Sequence, residues 1–368
     1  MPASGRQFLE HLRVSGLGRY ETRNAAAADT QIAAVADPGW HGDFAWLELV
    51  SACNLRCVHC YAAGGSRPDD GGARLGLEDW LRVLRDLRAL GFGRIQFIGG
   101  EPTLHPELED LLLGAREGRF EFVELFTNAT QVDDVLLNLL RFTNTHLATT
   151  LYAADAAIHD AVTKVAGSHQ RTLAAIRAAR EKGIPVRVAC VVTSLNQAHV
   201  RGLPELVSRL GATWSGADPV RPVGRGRDAG CIPTIGRPGV RPPFTTSASQ
   251  FARQFHYHPC WQGKLAITED GRVLPCVFAR EECAGNVRHA SLAAIVQGRL
   301  QRMWRLTKDQ MQICKGCEFR FACGDCRPLA MGTDPEGRLD APTPDCHYDP
   351  TTGEWRPLPG YPAKPPGF

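Results

Sequence analysis

Nowhere in the 368 residues do apolar side chains run for the roughly 18 positions that a membrane-spanning helix needs. The N-terminus also lacks the charged-then-apolar order of a signal peptide, because Arg6, Glu10, His11 and Arg13 interrupt it. No membrane partner and a cytoplasmic location are therefore expected. An excess of one charge is missing too: 42 Lys and Arg against 39 Asp and Glu leave +3. With no basic stripe interleaved with aromatics, nucleic acid is not an expected partner. The arginine-rich run Arg221–Arg227 is open to a phosphate, an acidic peptide or plain solvation. No internal repeat is visible beyond an alternation of strands and helices.

What the chain does have is cysteine, 13 in all. In a reducing compartment these are not a disulfide framework, and their tight grouping points to metal. Cys53, Cys57 and Cys60 stand at x3 and x2 spacing directly after the apolar run Trp46–Val50. Three thiolates this close can reach one inorganic centre and leave a fourth position with no nearby protein ligand, in a zinc site or an iron–sulfur cluster. A second group, Cys260, Cys276, Cys283, Cys314, Cys317, Cys323, Cys326 and Cys346, fills the C-terminal part. Within it, Cys314-x2-Cys317-x5-Cys323-x2-Cys326 resembles a compact zinc knuckle whose central gap is short for a ribbon. Cys190, in an apolar strand, and Cys231 are read as packing and incidental thiols.

Between the two groups the sequence alternates. Strands are expected at Leu47–Val50, Arg94–Ile98, Phe122–Phe126, Leu147–Tyr152, Val186–Thr193 and Thr213–Val220. Helices fall between them, with Leu77, Leu81, Leu84 and Leu87 at helical spacing, Ser168 as a cap and Gly183 as a left-handed terminus. Six strands alternating with helices imply an α/β fold with a parallel sheet, doubly wound or closed into a full or partial barrel. In such sheets chemistry gathers at the carboxyl ends of the strands, where Cys53–Cys60, Gly99–Glu101 and Asn128 all fall. Gly64–Gly72 reads as a connector, and Glu269-Asp270-Gly271 as the turn of a hairpin between Lys264–Thr268 and Arg272–Leu274.

The trio followed by Tyr61, with Gly99-Gly100-Glu101-Pro102 after the second strand, resembles the radical S-adenosylmethionine superfamily. The resemblance covers roughly residues 45–220. It implies a partial (β/α)6 TIM-like barrel and a [4Fe–4S] cluster on Cys53, Cys57 and Cys60 whose open iron chelates S-adenosylmethionine. It further implies that Gly99, Gly100 and Glu101 meet the methionine amino group, that Tyr61 lies by the adenine, and that Asn128 and Thr150 serve the ribose and carboxylate side. His59 and His105 are read as a spacer and a helix-start residue. The C-terminal frame, Cys260, Gly271-x4-Cys276, the quartet and Cys346, resembles the SPASM extension, a small cysteine-rich α+β domain holding two auxiliary [4Fe–4S] clusters. That pattern assigns Cys314, Cys317, Cys323 and Cys346 to one and Cys260, Cys276 and Cys326 to the other. Cys283 is either its fourth ligand or a buried thiol. The implied domains are an N-terminal segment 1–44, a barrel 45–225, a linker 226–254, the SPASM domain 255–350 and an irregular tail 351–368.

The cofactors implied are S-adenosylmethionine and three [4Fe–4S] clusters, supplying a 5′-deoxyadenosyl radical for hydrogen abstraction. No catalytic acid or base is identifiable. Relatives of this pattern mostly modify peptides, so the expected substrate is a ribosomal precursor peptide receiving a thioether or carbon–carbon crosslink. Sulfatase maturation is disfavoured because Val277 stands where those relatives carry an aspartate base. A leader-binding winged helix needs more chain than residues 1–44 offer, so leader capture falls to a separate partner protein or to another surface such as Arg221–Arg227. A reductase, flavodoxin or ferredoxin would donate electrons. The alternatives are a dehydrogenase or epimerase acting on a sugar or aminocyclitol, and a non-enzymatic electron-transfer protein.

Overall fold

The computed structural model describes residues 3–14, 35–63, 74–233, 246–344 and 346–355. The connector Gly64–Gly72 and the part of the tail after residue 355 lie outside them. Two compact units account for the chain: one takes residues 41–235 and 263–300, the other 1–40, 236–262 and 301–368.

In the first unit, six parallel strands run β1 (Phe44–Glu48), β2 (Arg94–Ile98), β3 (Phe122–Phe126), β4 (His146–Thr150), β5 (Val186–Val192) and β6 (Thr213–Pro219), each beside its predecessor. Between them lie α1 (Leu77–Ala89), α2 (Leu108–Glu117), α3 (Asp134–Phe142), α4 (Ala156–Thr163), α5 (Ser168–Glu181) and α6 (Leu203–Arg209). This is the expected partial (β/α)6 barrel. Side chains alternate across each strand. Ala45, Leu47, Ile95, Phe97, Val123, Leu125, Leu147 and Val188 point to one face and are 5% exposed or less. The helices supply apolar stripes such as Trp80, Val83, Leu84 and Leu87. The opposite parity, with Phe44, Trp46, Gln96, Phe122, Glu124, Phe126 and Arg187, lines the concave face.

Two local differences from expectation have physical causes. The hairpin β7 (Lys264–Ile267) and β8 (Arg272–Leu274) joins the barrel sheet. β7 pairs parallel to β1 and β9 (Gly285–Asn286) follows β8, so the free edge of the open barrel finds hydrogen-bond partners. The cap of α5 is not Ser168. Gly167, left-handed at φ 72°, precedes the helix, and Asp160 of α4 accepts from the Gly167 and His169 amides at 2.6 and 2.9 Å and from the Ser168 hydroxyl at 2.7 Å. Gly183 is left-handed as expected, with φ 75°.

The second unit carries a helix at Ala248–His256, in the stretch expected as a linker, started by the Ser247 hydroxyl accepting from the Gln250 amide at 3.1 Å. Its core includes Tyr257, Trp261, Trp304, Met311 and Phe319, each 1% exposed or less.

Candidate functional site

The cysteine loop lies beyond the carboxyl end of β1 and is seated on the last turn of α4. Arg56 N donates to Thr163 O, and Val58 N to Val162 O, both at 3.0 Å. Asn54 donates to Thr130 Oγ1 at 2.9 Å, and Leu55 is buried. From the other side comes a segment that sequence reading left as a charge run. Arg225 donates from Nε to Cys57 O at 2.9 Å and from its amide to Cys60 O at 3.0 Å. Gly224, left-handed at φ 57°, sits where a Cβ would strike the carbonyls of Cys60 and Tyr61. Cys231, read as incidental, is buried and donates to Val58 O at 3.3 Å. Gly224, Arg225 and Cys231 thus clamp the loop, while residues 227–230 between them are exposed.

Cys53, Cys57 and Cys60 all open onto one cavity of 580 Å³. It is walled at the strand ends by Gly99, Gly100, Thr127, Asn128, Thr150 and Tyr152, and it continues down the concave face to Arg94 and Phe122. Among the described residues no three His, Cys, Asp or Glu side chains converge as ligands of a single metal ion do. The trio instead surrounds a space, as thiolates of a polynuclear cluster must. Burial, and then Glu101 and the Cys60 thiol, push Cys53 up to about 11. Burial with Cys60 and Cys53 pushes Cys57 up to about 12. Thiolates here need a compensating positive charge, which cluster iron supplies. The donor set and its surroundings fit such a group.

Gly99 and Gly100 are required by close approach. A Cβ on either would meet the backbone carbonyls of Val50, or of Ser51 and Ala52. Gly100 N and Glu101 N donate to Val50 O and Ala52 O at 2.6 and 2.8 Å, stitching this turn to the start of the cysteine loop. Glu101 does not line the cavity. Fully buried, its carboxylate accepts from Thr103 N at 3.0 Å, Thr103 Oγ1 at 2.7 Å, Thr127 Oγ1 at 2.6 Å and Asn128 N at 2.8 Å. Asn128 lies on the wall with its side chain turned to the loop: Nδ2 donates to Asn54 Oδ1 at 2.6 Å and stands 3.9 Å from Cys53 Sγ. Thr150 closes β4 on the wall. Tyr61 is on the wall too, edge-on to Phe278 with ring centroids 5.1 Å apart, and its hydroxyl is buried without a hydrogen-bond partner. Arg280 beside it holds Glu48 at 2.6 and 2.8 Å.

Sequence reading takes His59 as a spacer. Its ring is on the cavity wall, its Nε2 is 3.3 Å from the Tyr152 hydroxyl, and its Nδ1 is buried without a partner. Burial pushes its pKa down to about 4, so it is a neutral imidazole. Cys190 also reaches the wall from β5. His105 is buried and accepts from the Glu107 amide at 3.2 Å, a helix-start role.

In the second unit, Cys314, Cys317, Cys323 and Cys346 line one small cavity with Lys308, Thr343 and Tyr348, while Cys326 does not line it. Cys260 and Cys326 belong to the same unit. His258, two residues before Cys260, accepts at Nδ1 from the amides of Cys260 and Trp261 at 3.1 and 3.0 Å, so Nε2 carries the proton and faces Asp325 at 3.2 Å. Asp325 takes two 2.6 Å bonds from Arg327. Cys276 and Cys283 lie in the first unit. Cys276 Sγ accepts from the Phe278 amide at 3.4 Å, and Cys283 Sγ donates to Gly285 O at 3.3 Å.

The profile of the radical SAM superfamily matches residues 47–203, and that of the SPASM iron–sulfur cluster-binding domain matches 260–318. The chain is 25% identical over 333 residues to a PqqA peptide cyclase of Granulibacter bethesdensis, covering 82% of this chain and 86% of that one. It is 24% identical over 345 residues to an AdoMet-dependent heme synthase of Methanosarcina barkeri, covering 83% and 96%. The fold is similar to that of Streptococcus suis SuiB bound to its precursor peptide SuiA, with TM-score 0.62, 14% identity and coverage of 90% and 77%.

Proposed function

For this chain, which belongs to the radical S-adenosylmethionine superfamily and carries its SPASM iron–sulfur domain, we propose the modification of a ribosomal precursor peptide by thioether or carbon–carbon crosslinking. The enzyme's cofactors are S-adenosylmethionine and [4Fe–4S] clusters. When bound, that pair supplies a 5′-deoxyadenosyl radical able to take hydrogen from an unactivated C–H bond. The observation that carries the reading is the single cavity joining Cys53, Cys57 and Cys60 to the Gly99–Gly100 turn and then to the concave face of the barrel.

Within it the residues divide the work. Cys53, Cys57 and Cys60 hold the first cluster. Gly99, Gly100 and Glu101 meet the methionine end, the glycine backbone from the wall and Glu101 through Oε2, which accepts from the Asn128 amide alone. Tyr61, His59, Tyr152 and Thr150 wall the nucleoside and keep water from the reacting carbon. Asn128 serves the Cys53 side of the loop. The concave face beyond, with Trp46, Phe126 and the Glu124–Arg187 pair, holds the peptide segment so that its C–H lies beside the radical. Cys314, Cys317, Cys323 and Cys346 hold one auxiliary cluster. Cys260, Cys276 and Cys326 keep their assignment to the other, with Cys283 as its further candidate. The peptide substrate is favoured by the names of the PqqA cyclase and the SuiB–SuiA complex. An electron donor, a separate leader-binding protein and a cytoplasmic location complete the reading. Among the described residues no helix is long and apolar enough to cross a membrane.

The test is anaerobic reconstitution followed by iron analysis and turnover. About twelve iron atoms per chain are expected for three clusters. Reduced enzyme should convert S-adenosylmethionine to 5′-deoxyadenosine, Cys57→Ala should not, and a precursor peptide encoded beside the enzyme should become lighter by a pair of hydrogens per crosslink. Deoxyadenosine formation coupled only to a sugar or another small molecule refutes the peptide assignment.

A further inference from the structure

A single buried lysine stands among the cysteines of the second unit. Long ammonium side chains are seldom buried without a charged partner, and among the described residues the other lysines, Lys164, Lys182, Lys264 and Lys315, all keep some exposure. Lys308 is 3% exposed and lines the small cavity onto which Cys314, Cys317, Cys323 and Cys346 open. It begins the short turn Lys308–Gln310, whose next residue, Asp309, is exposed and turned to Arg320 at 2.6 Å.

The chain itself satisfies little of this ammonium group. Of its three protons, one goes to Thr343 Oγ1 at 2.5 Å, and among the described residues Nζ has no second hydrogen bond and no ion pair. The acids nearby are committed elsewhere: Asp309 to Arg320, Asp325 to Arg327 and His258, and Glu318 to the Tyr348 hydroxyl. Burying a cation without a counter-ion is costly. The cavity therefore calls for an anion. Four thiolates outweigh the positive core of a [4Fe–4S] cluster and leave the whole anionic, the more so once it has taken an electron.

Thr343 carries the contact on to sulfur. Its hydroxyl oxygen accepts from Lys308, so its own proton is free, and Cys314 Sγ stands 3.9 Å away. The Lys308 charge also acts on Cys323, where it opposes the effect of burial on the thiol. One buried cation thus bears on two ligands of the same centre.

We propose that the Lys308 ammonium is the built-in counter-charge of the auxiliary cluster on Cys314, Cys317, Cys323 and Cys346, and raises its reduction potential both directly and through the Thr343 hydroxyl. Net charge and hydrogen bonds to the sulfurs set such potentials, and a fixed cation favours the more negative, reduced state. Reduction adds one electron from the reductant and moves no proton, because the ammonium is already charged. The inference rests on the assignment of that cluster under the proposed function.

The test is a dye-mediated redox titration of the fully reconstituted enzyme with dithionite, read by electron paramagnetic resonance. Adding S-adenosylmethionine marks the first cluster by changing its signal, which leaves the auxiliary midpoints to compare. Lys308→Met, similar in length and uncharged, should lower one auxiliary midpoint by about 59 mV or more, a tenfold loss in its ratio of reduced to oxidised cluster. The other midpoints should stay in place. Lys308→Arg should restore the lowered one, because the charge returns, and Thr343→Val should lower it by less than Lys308→Met does. A midpoint that Lys308→Met leaves unchanged, or that Lys308→Arg lowers just as far, overturns the counter-charge. If Lys308→Met fails to hold the cluster, Lys308→Gln decides: a lowered midpoint supports the proposal and a wild-type midpoint refutes it. A wild type that holds about four iron atoms in all, or zinc in the second unit, removes the cluster assignment itself, whatever the variants do.

Discussion

Asp325→Ala takes the centre out of a charge network sealed inside the second unit. Arg327, Asp325 and His258 have side chains 0, 1 and 0% exposed. Asp325 accepts from His258 Nε2 at 3.2 Å and from Arg327 Nε and Nη2 at 2.6 Å each. Burial alone would raise its carboxyl, yet the bonds from His258 and Arg327 hold it well below the usual carboxylate range. Without it, the Arg327 guanidinium keeps only neutral partners, the carbonyls of Leu339 and Ala341 at 2.9 and 2.6 Å and the Met311 sulfur at 2.8 Å. Breaking a buried pair from one side costs about 3–5 kcal/mol. At about 1.4 kcal/mol per tenfold, that is a loss of roughly a hundredfold to several thousandfold in local protection. Hydrogen exchange read by mass spectrometry on peptides spanning 258–262 and 325–341 measures it. Asp325→Asn should lose less, about 2 kcal/mol, because it keeps an acceptor. Since His258 fixes the Cys260 amide and Asp325 and Arg327 flank Cys326, iron content should fall with protection. The reasoning fails if Asp325→Ala stays within tenfold of wild-type protection. It also fails if Asp325→Ala and Arg327→Ala add without coupling in the double variant.

Gly224→Ala should displace the cysteine loop, since the new Cβ meets the Cys60 and Tyr61 carbonyls at a left-handed position. Iron analysis should show about four atoms fewer per chain, and full iron would refute the clamp. Asp160→Ala should cost roughly 1 kcal/mol at pH 7 by uncapping α5. Burial raises the Asp160 carboxyl, but the His169 amide, Ser168 hydroxyl and Gly167 amide outweigh it and hold the pKa below its ordinary value. Its contribution is therefore complete above about pH 3.9 and is lost as pH falls through the lower folded value. The wild-type minus variant difference in urea midpoint, in which acid release of clusters cancels, should be constant from pH 7 to 5 and shrink below pH 4. A gap that persists in acid would show that the carboxylate is not its source.

The legible part of this molecule was whatever depends on covalent spacing. Cys53, Cys57 and Cys60 meet one cavity because x3 and x2 intervals in a tight loop leave little choice. The six strands followed from their alternation with apolar-striped helices, and Gly183 from the need for a left-handed helix end. What remained hidden depends on partners distant in sequence. Arg225 clamps Cys57 across 168 positions, and nothing around Arg221–Arg227 separates a clamp from a solvated run. Hairpin β7–β8 was visible, but not that it extends the barrel sheet, because an open edge is a property of the assembled strands. Asp160 displaced Ser168 as the cap of α5 because a carboxylate from the preceding helix satisfies two amides where a hydroxyl satisfies one.

Glu101 shows how much of a recognised motif also serves the fold. A carboxylate beside a turn at the strand ends invites the reading that it receives an ammonium group. An ionised carboxylate has about four acceptor sites; here Thr103 and Thr127 crowd three donors onto Oε1, while Oε2 accepts from the Asn128 amide alone and keeps a site open. Glu101 therefore ties the end of β2 to the end of β3. Asn128, held by that tie at its amide, turns its side chain to Asn54 and Cys53. The Gly100 and Glu101 amides, spent on Val50 and Ala52, fasten the same turn to the first residues of the cysteine loop. The Gly-Gly-Glu turn and the three-cysteine loop are thus one mechanical piece. Only glycine at 99 and 100 lets the backbone of the turn come close enough, and only a buried carboxylate at 101 satisfies four donors at once.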